Sequence, residues 1–300
     1  MKKIQTILLA GLLLASASVF AQDYAFKVLA NKGTNEVKSG DSWEPLKTGA
    51  SLKSGDEVKL TDNAYLALVH SSGKPMELKD AKTYKVSELA ASLKPGTSVL
   101  NKYADFILSS NSAEAKKNRL SATGAVHRGG DDRYSIQVLL PENQHSGIYN
   151  STAVINWDGS KVAGPYIVKL MNMYEEVLAS VETPETTFQV DITDAKFANL
   201  TAVLVEVSSK ADPKQMSTRH LIKKLPAAEI EKVKGSLDEI IGEVGEQTAL
   251  NKYLLASFYE NNNLFIDAIS SYEDAIKLAP DVTFYREAYD EFLLRHGMMR

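Results

Sequence analysis

Between Ala249 and Pro280, small residues, tyrosines and a proline recur at a spacing that a pair of closely packed antiparallel helices explains. Ala256 and Ala268 are small where two helix backbones must approach, and Tyr259 and Tyr272 fill the volume beside them. Asn261-Asn262-Asn263 makes the turn, because asparagine accepts the left-handed conformation that closes a helix. Pro280 stops the second helix, since its ring removes the amide hydrogen that the next turn requires. QTALNKYLLASFYENNN and LFIDAISSYEDAIKLAP therefore predict a helical hairpin. With PAAEIEKVKGSLDEIIGEVG before it and TFYREAYDEFLLRHG after it, glycine or proline falls at almost every junction, so the chain from Pro213 onward reads as helical.

Counted from Ala249 as the first position, Leu255, Ala256, Tyr259, Ala268, Tyr272, Ala275 and Pro280 fall on the pattern of a repeat of about 34 residues. The stretch resembles a tetratricopeptide repeat (TPR), with Lys252 where that family favours tryptophan. Phe284 to Leu294 reads as a following or capping helix and Ala227 to Val244 as a degenerate preceding hairpin, which predicts a small bundle rather than a long superhelix. In the family, the first helix of each repeat lines a concave groove for peptides or partner proteins. The resemblance thus implies partner contact at Leu250, Tyr253, Ser257, Glu260 and Asn261. An exposed Tyr253 leads that set, because aromatic anchors dominate interface energies. The competing expectation is that these side chains dock onto the sandwich domain or face water.

The opposite end bounds the setting. In MKKIQTILLAGLLLASASVFAQ, Lys2 and Lys3 precede an apolar run from Ile7 to Leu14, and small residues follow up to Ala21. This pattern predicts a signal peptide over residues 1–21 and a periplasmic or secreted product. No later segment approaches the ~20 apolar residues of a spanning helix. The absence of cysteine excludes disulfides, thiolate metal sites and a lipid-bearing cysteine. The formal charge of −4 becomes −6 once Lys2 and Lys3 are removed, which disfavours nucleic acid as a partner, since phosphate binding needs a basic stripe.

From Tyr24 to about Leu93, FKVLANKG, TNEVKSGDSWEPL, KTGASLKSGDEVKL, AYLALVHSSGKPMEL and TYKVSEL read as short strands. Gly40, Gly55 and Gly73 are expected at positive-φ turn positions. In AYLALVHSSG, Ala64, Leu66 and Leu68 alternate with Tyr65, Ala67 and Val69; both faces are apolar, as in a strand buried between two layers. The order Gly33, Trp43, Leu46, Gly49, Leu52, Gly55-Asp56, Ala64, Leu66, Leu68, Gly73 and Leu78 resembles the FecR-type periplasmic β-domain. The founding members of that family are membrane-anchored sigma-factor regulators. Here a signal peptide directly precedes the domain, so the resemblance implies the extracytoplasmic module over residues 22–96 and not the regulatory role.

Residues 97–133 read as one amphipathic helix, with Val99, Leu100, Tyr103, Phe106 and Ile107 at helical spacing after a Thr97 or Ser98 cap, followed by a linker. His127 beside Asp131-Asp132 lacks metal-ligand spacing. Strands return over 134–212 in YSIQVLLPEN, TAVINWDG, GPYIVKLMN, TTFQVDIT and LTAVLVEVSSK. Their succession resembles an immunoglobulin-like or fibronectin III-like sandwich, with Trp157 as its core anchor. The fold class expected is thus multi-domain and mixed: an all-β N-terminal domain, a β-sandwich middle domain and an all-α TPR-like domain over 213–300.

Motifs for hydrolytic, phosphate-binding or metalloprotease chemistry are missing from the sequence, and the histidines at 70, 127, 145, 220 and 296 lie in separate segments. Glu175-Glu176 with Glu182 or Glu185 offers a carboxylate pair for a glycosidase, yet glutamates near turns are usually solvated. The expectation is a non-enzymatic exported scaffold without metal or cofactor, contacting an envelope protein through its helical tail. A glycan-binding protein using Trp157, Tyr166 and Tyr174, or an envelope sensor, is the alternative.

Overall fold

The computed structural model describes residues 24–94, 134–244 and 247–299, together with Lys102 and Ile107. The expected signal peptide, most of the amphipathic helix and the His127 to Asp132 stretch lie outside these residues. β-Sheets occupy the N-terminal two-thirds, and four helices form the C-terminal region.

The N-terminal strands are β1 (Phe26–Lys32), β2 (Glu36–Lys38), β3 (Trp43–Pro45), β4 (Ser51–Leu52), β5 (Glu57–Lys59), β6 (Tyr65–His70), β7 (Pro75–Leu78) and β8 (Thr83–Lys85). They form two sheets, ordered β4-β1-β6-β7 and β3-β2-β5-β8. TYKVSEL, read above as a strand, divides into β8 and the helix α1 (Val86–Ser92). Val58, Leu52, Leu66, Leu68 and Val86 make the core of this unit. Gly40 and Gly73 adopt positive φ as expected, whereas Gly55 does not. That turn is held by its neighbour: the Asp56 carboxylate accepts hydrogen bonds from the Lys53 amide at 2.7 Å and the Ser39 hydroxyl at 2.8 Å. Gly33 is required twice over, since its φ is +94° and a Cβ there would stand 3.1 Å from that of Ala64.

The middle strands are β9 (Gln137–Val138), β10 (Gly147–Ile148), β11 (Thr152–Asp158), β12 (Tyr166–Met171), β13 (Val177–Thr183), β14 (Thr187–Asp191), β15 (Ala202–Ser209) and β16 (His220–Lys224), with a 3-10 turn at Asn143–His145. One sheet runs β10-β16-β15-β12-β13, the other β14-β11-β9. β10 lies parallel to β16, and the other pairs are antiparallel. Trp157 is buried and meets Tyr166 of the opposing sheet edge-on at 5.3 Å, the anchoring role expected of it. The boundary at Pro213 needs correction. β16 pairs with β15 through Ala202↔Lys223 to Val205↔His220, so helix begins only at Ala227. HLIKK is short and half charged, and its strand character comes from its neighbour rather than from its own pattern.

The helices are α2 (Ala227–Val244), α3 (Ala249–Asn261), α4 (Phe265–Leu278) and α5 (Thr283–Arg295). Ala227 to Val244 forms one continuous helix, not a hairpin. Ala256 and Ala268 are fully buried where α3 and α4 meet, Asn263 takes φ +57° at the turn, and α4 ends at Leu278 just before Pro280. Lys252, in the family's tryptophan position, forms an ion pair with Asp274 across the hairpin at 2.9 Å.

The two β-units and the helices share buried surface. Tyr65, Ala67 and Val69 on the outer face of β6 belong to the same apolar cluster as the middle sheets and α3 to α5. Leu66 and Leu68 of that strand face the N-terminal core. β6 is therefore the strand between two layers that its sequence predicts, and the second layer is helical.

Candidate functional site

α5 occupies the face of α3 that the repeat resemblance assigns to a partner. Tyr253 is 4% exposed, with ring centroids 5.9 Å from Tyr272, 5.2 Å from Phe284 and 6.0 Å from Tyr285. Leu250 is fully buried, and its amide donates to the Glu77 carboxylate of β7 at 2.7 Å. Ser257 is buried and donates to the Tyr253 carbonyl at 3.1 Å. Of the five expected partner-contact residues, only Asn261 is exposed, and its side-chain amide donates to the Ser257 carbonyl at 2.9 Å. The other four are buried against the neighbouring helices and β7 rather than against the sandwich, so the competing expectation needs the same correction. Phe284 and Tyr285 of α5 pack against Tyr253 on that face.

Tyr272 and Ala275 are buried, Leu255 is partly buried, and Tyr259 points its hydroxyl at the middle unit, accepting from the Asn150 side chain at 3.1 Å. Asp267, at the start of α4, is wholly buried and accepts hydrogen bonds from the backbone amides of Tyr149 at 2.8 Å and Asn150 at 2.9 Å. Burial pushes its carboxyl up to about 6, although both amides pull the other way.

Glu260, read as a groove residue, is the centre of an internal cluster. Its carboxylate accepts from Arg295 Nε at 3.1 Å and Nη2 at 2.9 Å, from Tyr272 at 3.3 Å, and meets His296 Nε2 at 2.9 Å. Burial pushes the Glu260 carboxyl up, but His296 and Arg295 outweigh it and hold the group below the usual carboxylate range. Arg295 and His296 then form one wall of a shallow cleft of about 380 Å³, whose other walls include Glu142, Gln144, His145 and Phe265. The His145 and His296 rings lie 5.2 Å and 4.1 Å from the Phe265 ring. The sequence offered no signal for this meeting, because it depends on how α4 seats on the middle unit. Among the described residues, no group of three histidine, aspartate or glutamate side chains is placed to hold a metal ion.

Two of the three aromatics considered for glycan stacking are unavailable to a ligand: Trp157 and Tyr166 are buried, and the Tyr166 hydroxyl donates to the Val162 carbonyl at 2.6 Å. Tyr174 is 87% exposed at the tip of the β12–β13 hairpin, beside Met173 at 55% and Val177 at 54%. The tip is held by Asn172, whose side-chain oxygen accepts from the amides of Tyr174 at 2.9 Å and Glu176 at 3.0 Å. The glutamates considered for catalysis surround this hairpin. Glu175 pairs with Arg219, Glu182 with Lys210 at 2.7 Å, and Glu176 accepts from Asn172 at 2.6 Å. Glu185 is exposed at the far end of β13.

Compared with known proteins, the chain matches no family model, and no curated protein sequence matches it.

Proposed function

We propose that this chain is an exported, non-enzymatic scaffold of the cell envelope, in which the helices hold two β-units in a fixed relation and the middle unit contacts a protein partner. The observation that carries this reading is the contrast between the two surfaces offered to a partner. The helical groove residues Leu250, Tyr253, Ser257 and Glu260 are buried, whereas Met173, Tyr174 and Val177 stand in solvent on a hairpin braced by Asn172. An aromatic anchor on a rigid support loses little entropy on binding.

Export and a periplasmic or secreted location rest on reading residues 1–21 as a signal peptide. The FecR-type reading of residues 22–96 is supported by the positive φ of Gly33 and by the burial of Leu46, Leu52, Leu66 and Leu68. The immunoglobulin- or fibronectin III-like reading is supported by the sheet orders, with Trp157 between the sheets, and extends the unit to Lys224. The TPR-like reading is supported by the fit of Ala256 and Ala268 at the helix contact.

Photocrosslinkers placed singly at Tyr174 and at Asn261 in intact cells test the proposal. The expected result is one discrete adduct from position 174 and none from 261. Capture from 261 alone returns the partner site to the helices.

A further inference from the structure

We propose that the free edge of β13 binds an extended, basic, apolar-alternating segment of the partner protein by adding it as a further strand to the five-stranded sheet. This deepens the scaffold reading above and rests on it.

Sheet edges invite pairing unless they are short, interrupted or covered. The other edges in the described residues are mostly protected. β4, β9 and β10 have two residues each, β3 has three and ends in Pro45, and β8 has three and runs directly into α1. β7 starts at Pro75, and its Glu77 receives the Leu250 amide of α3. β14 has five residues. β13 has seven, VLASVET, without lysine or proline, and among the described residues nothing pairs with its outer side. Its one register shift lies at the start, near Val177, so the pairing from Ala179 to Thr183 is regular.

The direction of the free groups follows from the ladder. The Lys210 amide donates to Pro165 at 3.0 Å, in phase with the β12–β15 register that pairs Ile167 with Ser208 and Lys169 with Glu206. Antiparallel bonding alternates, so residues 166, 168 and 170 of β12 turn their backbone groups to β13, where they meet Thr183, Val181 and Ala179. Ser180 and Glu182 consequently aim their N–H and C=O groups away from the sheet.

Charge selects the occupant. Glu175, Glu176, Glu182 and Glu185 flank the strand at both ends, against Arg219 and Lys210 as the cations paired there. A second copy docking antiparallel on this edge would set glutamate against glutamate, whereas a strand with lysine or arginine beside its apolar residues is complementary.

The test uses the mature full-length chain and two synthetic peptides, acetyl-KVTVKVTVK-amide and acetyl-EVTVEVTVE-amide, with amide hydrogen exchange read residue by residue. The basic peptide should slow exchange at Ser180 and Glu182 at least tenfold, and the acidic one should leave it unchanged. Ser180→Pro should abolish the protection at Glu182 without altering thermal melting, because the Ser180 amide bonds nothing in the sheet. Val177→Lys, an exposed substitution, should weaken it. No protection by the basic peptide at millimolar concentration, or equal protection by both peptides, overturns the proposal. Protection that rises with protein concentration in the absence of peptide overturns it in favour of self-pairing. Peptide failure alongside a discrete adduct from Tyr174 overturns strand addition alone and leaves the scaffold reading intact. Failure of the adduct as well removes both.

Discussion

The helices meet the two β-units in physically different ways. Against the middle unit the contact is made by polar groups sunk in an apolar interface: Asp267 holds two backbone amides, and Asn156 of β11 donates to Glu273 at 2.9 Å and to the Tyr289 hydroxyl at 3.0 Å. Against the N-terminal unit the centre is Tyr65, Ala67 and Val69, with a hydroxyl pair, Tyr65 and Tyr285 at 2.5 Å, and the Leu250 amide on the Glu77 carboxylate at 2.7 Å. Its margin carries ion pairs, Lys74 with Glu243 at 2.5 Å and Lys32 with Asp281 at 3.3 Å. Buried hydrogen bonds fix one geometry, because a misplaced donor is left unsatisfied, while an apolar contact tolerates small shifts. The middle joint, with more such bonds, therefore sets register more strictly than the N-terminal joint.

The strongest way to break the middle joint is Phe265→Ala. Phe265 is 4% exposed and lies between His145 of the middle unit and His296 of the helices, so its removal should cost about 4 kcal/mol in urea unfolding. A loss under about 1 kcal/mol would show that this ring is not part of the joint.

Acidity separates two of the hairpin's carboxylates, Asp267 and Glu260. Asp267 has a folded pKa of about 6 against an ordinary 3.8, so the folded chain binds this proton more tightly than the unfolded one. Its contribution is present at low pH and is lost as pH rises through about 6, a change of about 3 kcal/mol. Glu260 has the opposite sign: its pKa is held below the ordinary 4.5, and its contribution is lost as pH falls through the folded value. Comparing the wild type with Asp267→Asn by urea unfolding at pH 4 and pH 7 isolates the first effect. The wild type should lose ground against the variant as pH rises, and an unchanged difference would remove the assignment.

At the N-terminal joint, Tyr285→Phe removes one of the two partners of the buried Tyr65 hydroxyl, leaving the Glu77 carboxylate as the other, and should cost about 1 kcal/mol. Tyr65→Phe should cost more, because it also takes a hydrogen bond from the Glu77 carboxylate, and a double-mutant cycle measures the coupling of the two hydroxyls. Smallest of all, Lys32→Ala should change stability by less than about 0.5 kcal/mol, because Asp281 is 79% exposed and solvent screens the pair.

The same contrast governs what the sequence makes legible. The apolar N-terminal joint is written in AYLALVH, whose two apolar faces announce two neighbours. Trp157, the small residues Ala256 and Ala268, and the turn at Asn263 were equally readable, because each follows from local geometry or from the need to fill a core. The middle joint was not, since nothing about Asp267 or Asn156 in one dimension says that it will meet a distant amide or phenol. Nor were β13 and β16, whose strand character depends on the sheet beside them. Tyr253 misled for a related reason: the spacing that placed it on a groove is silent about the α5 aromatics that fill that groove.

Because β6 serves two cores at once, cutting the chain after residue 94 would not liberate a well-behaved module. The fragment would carry a greasy flank of Tyr65, Ala67 and Val69 open to water, and it would aggregate unless those positions were first made polar.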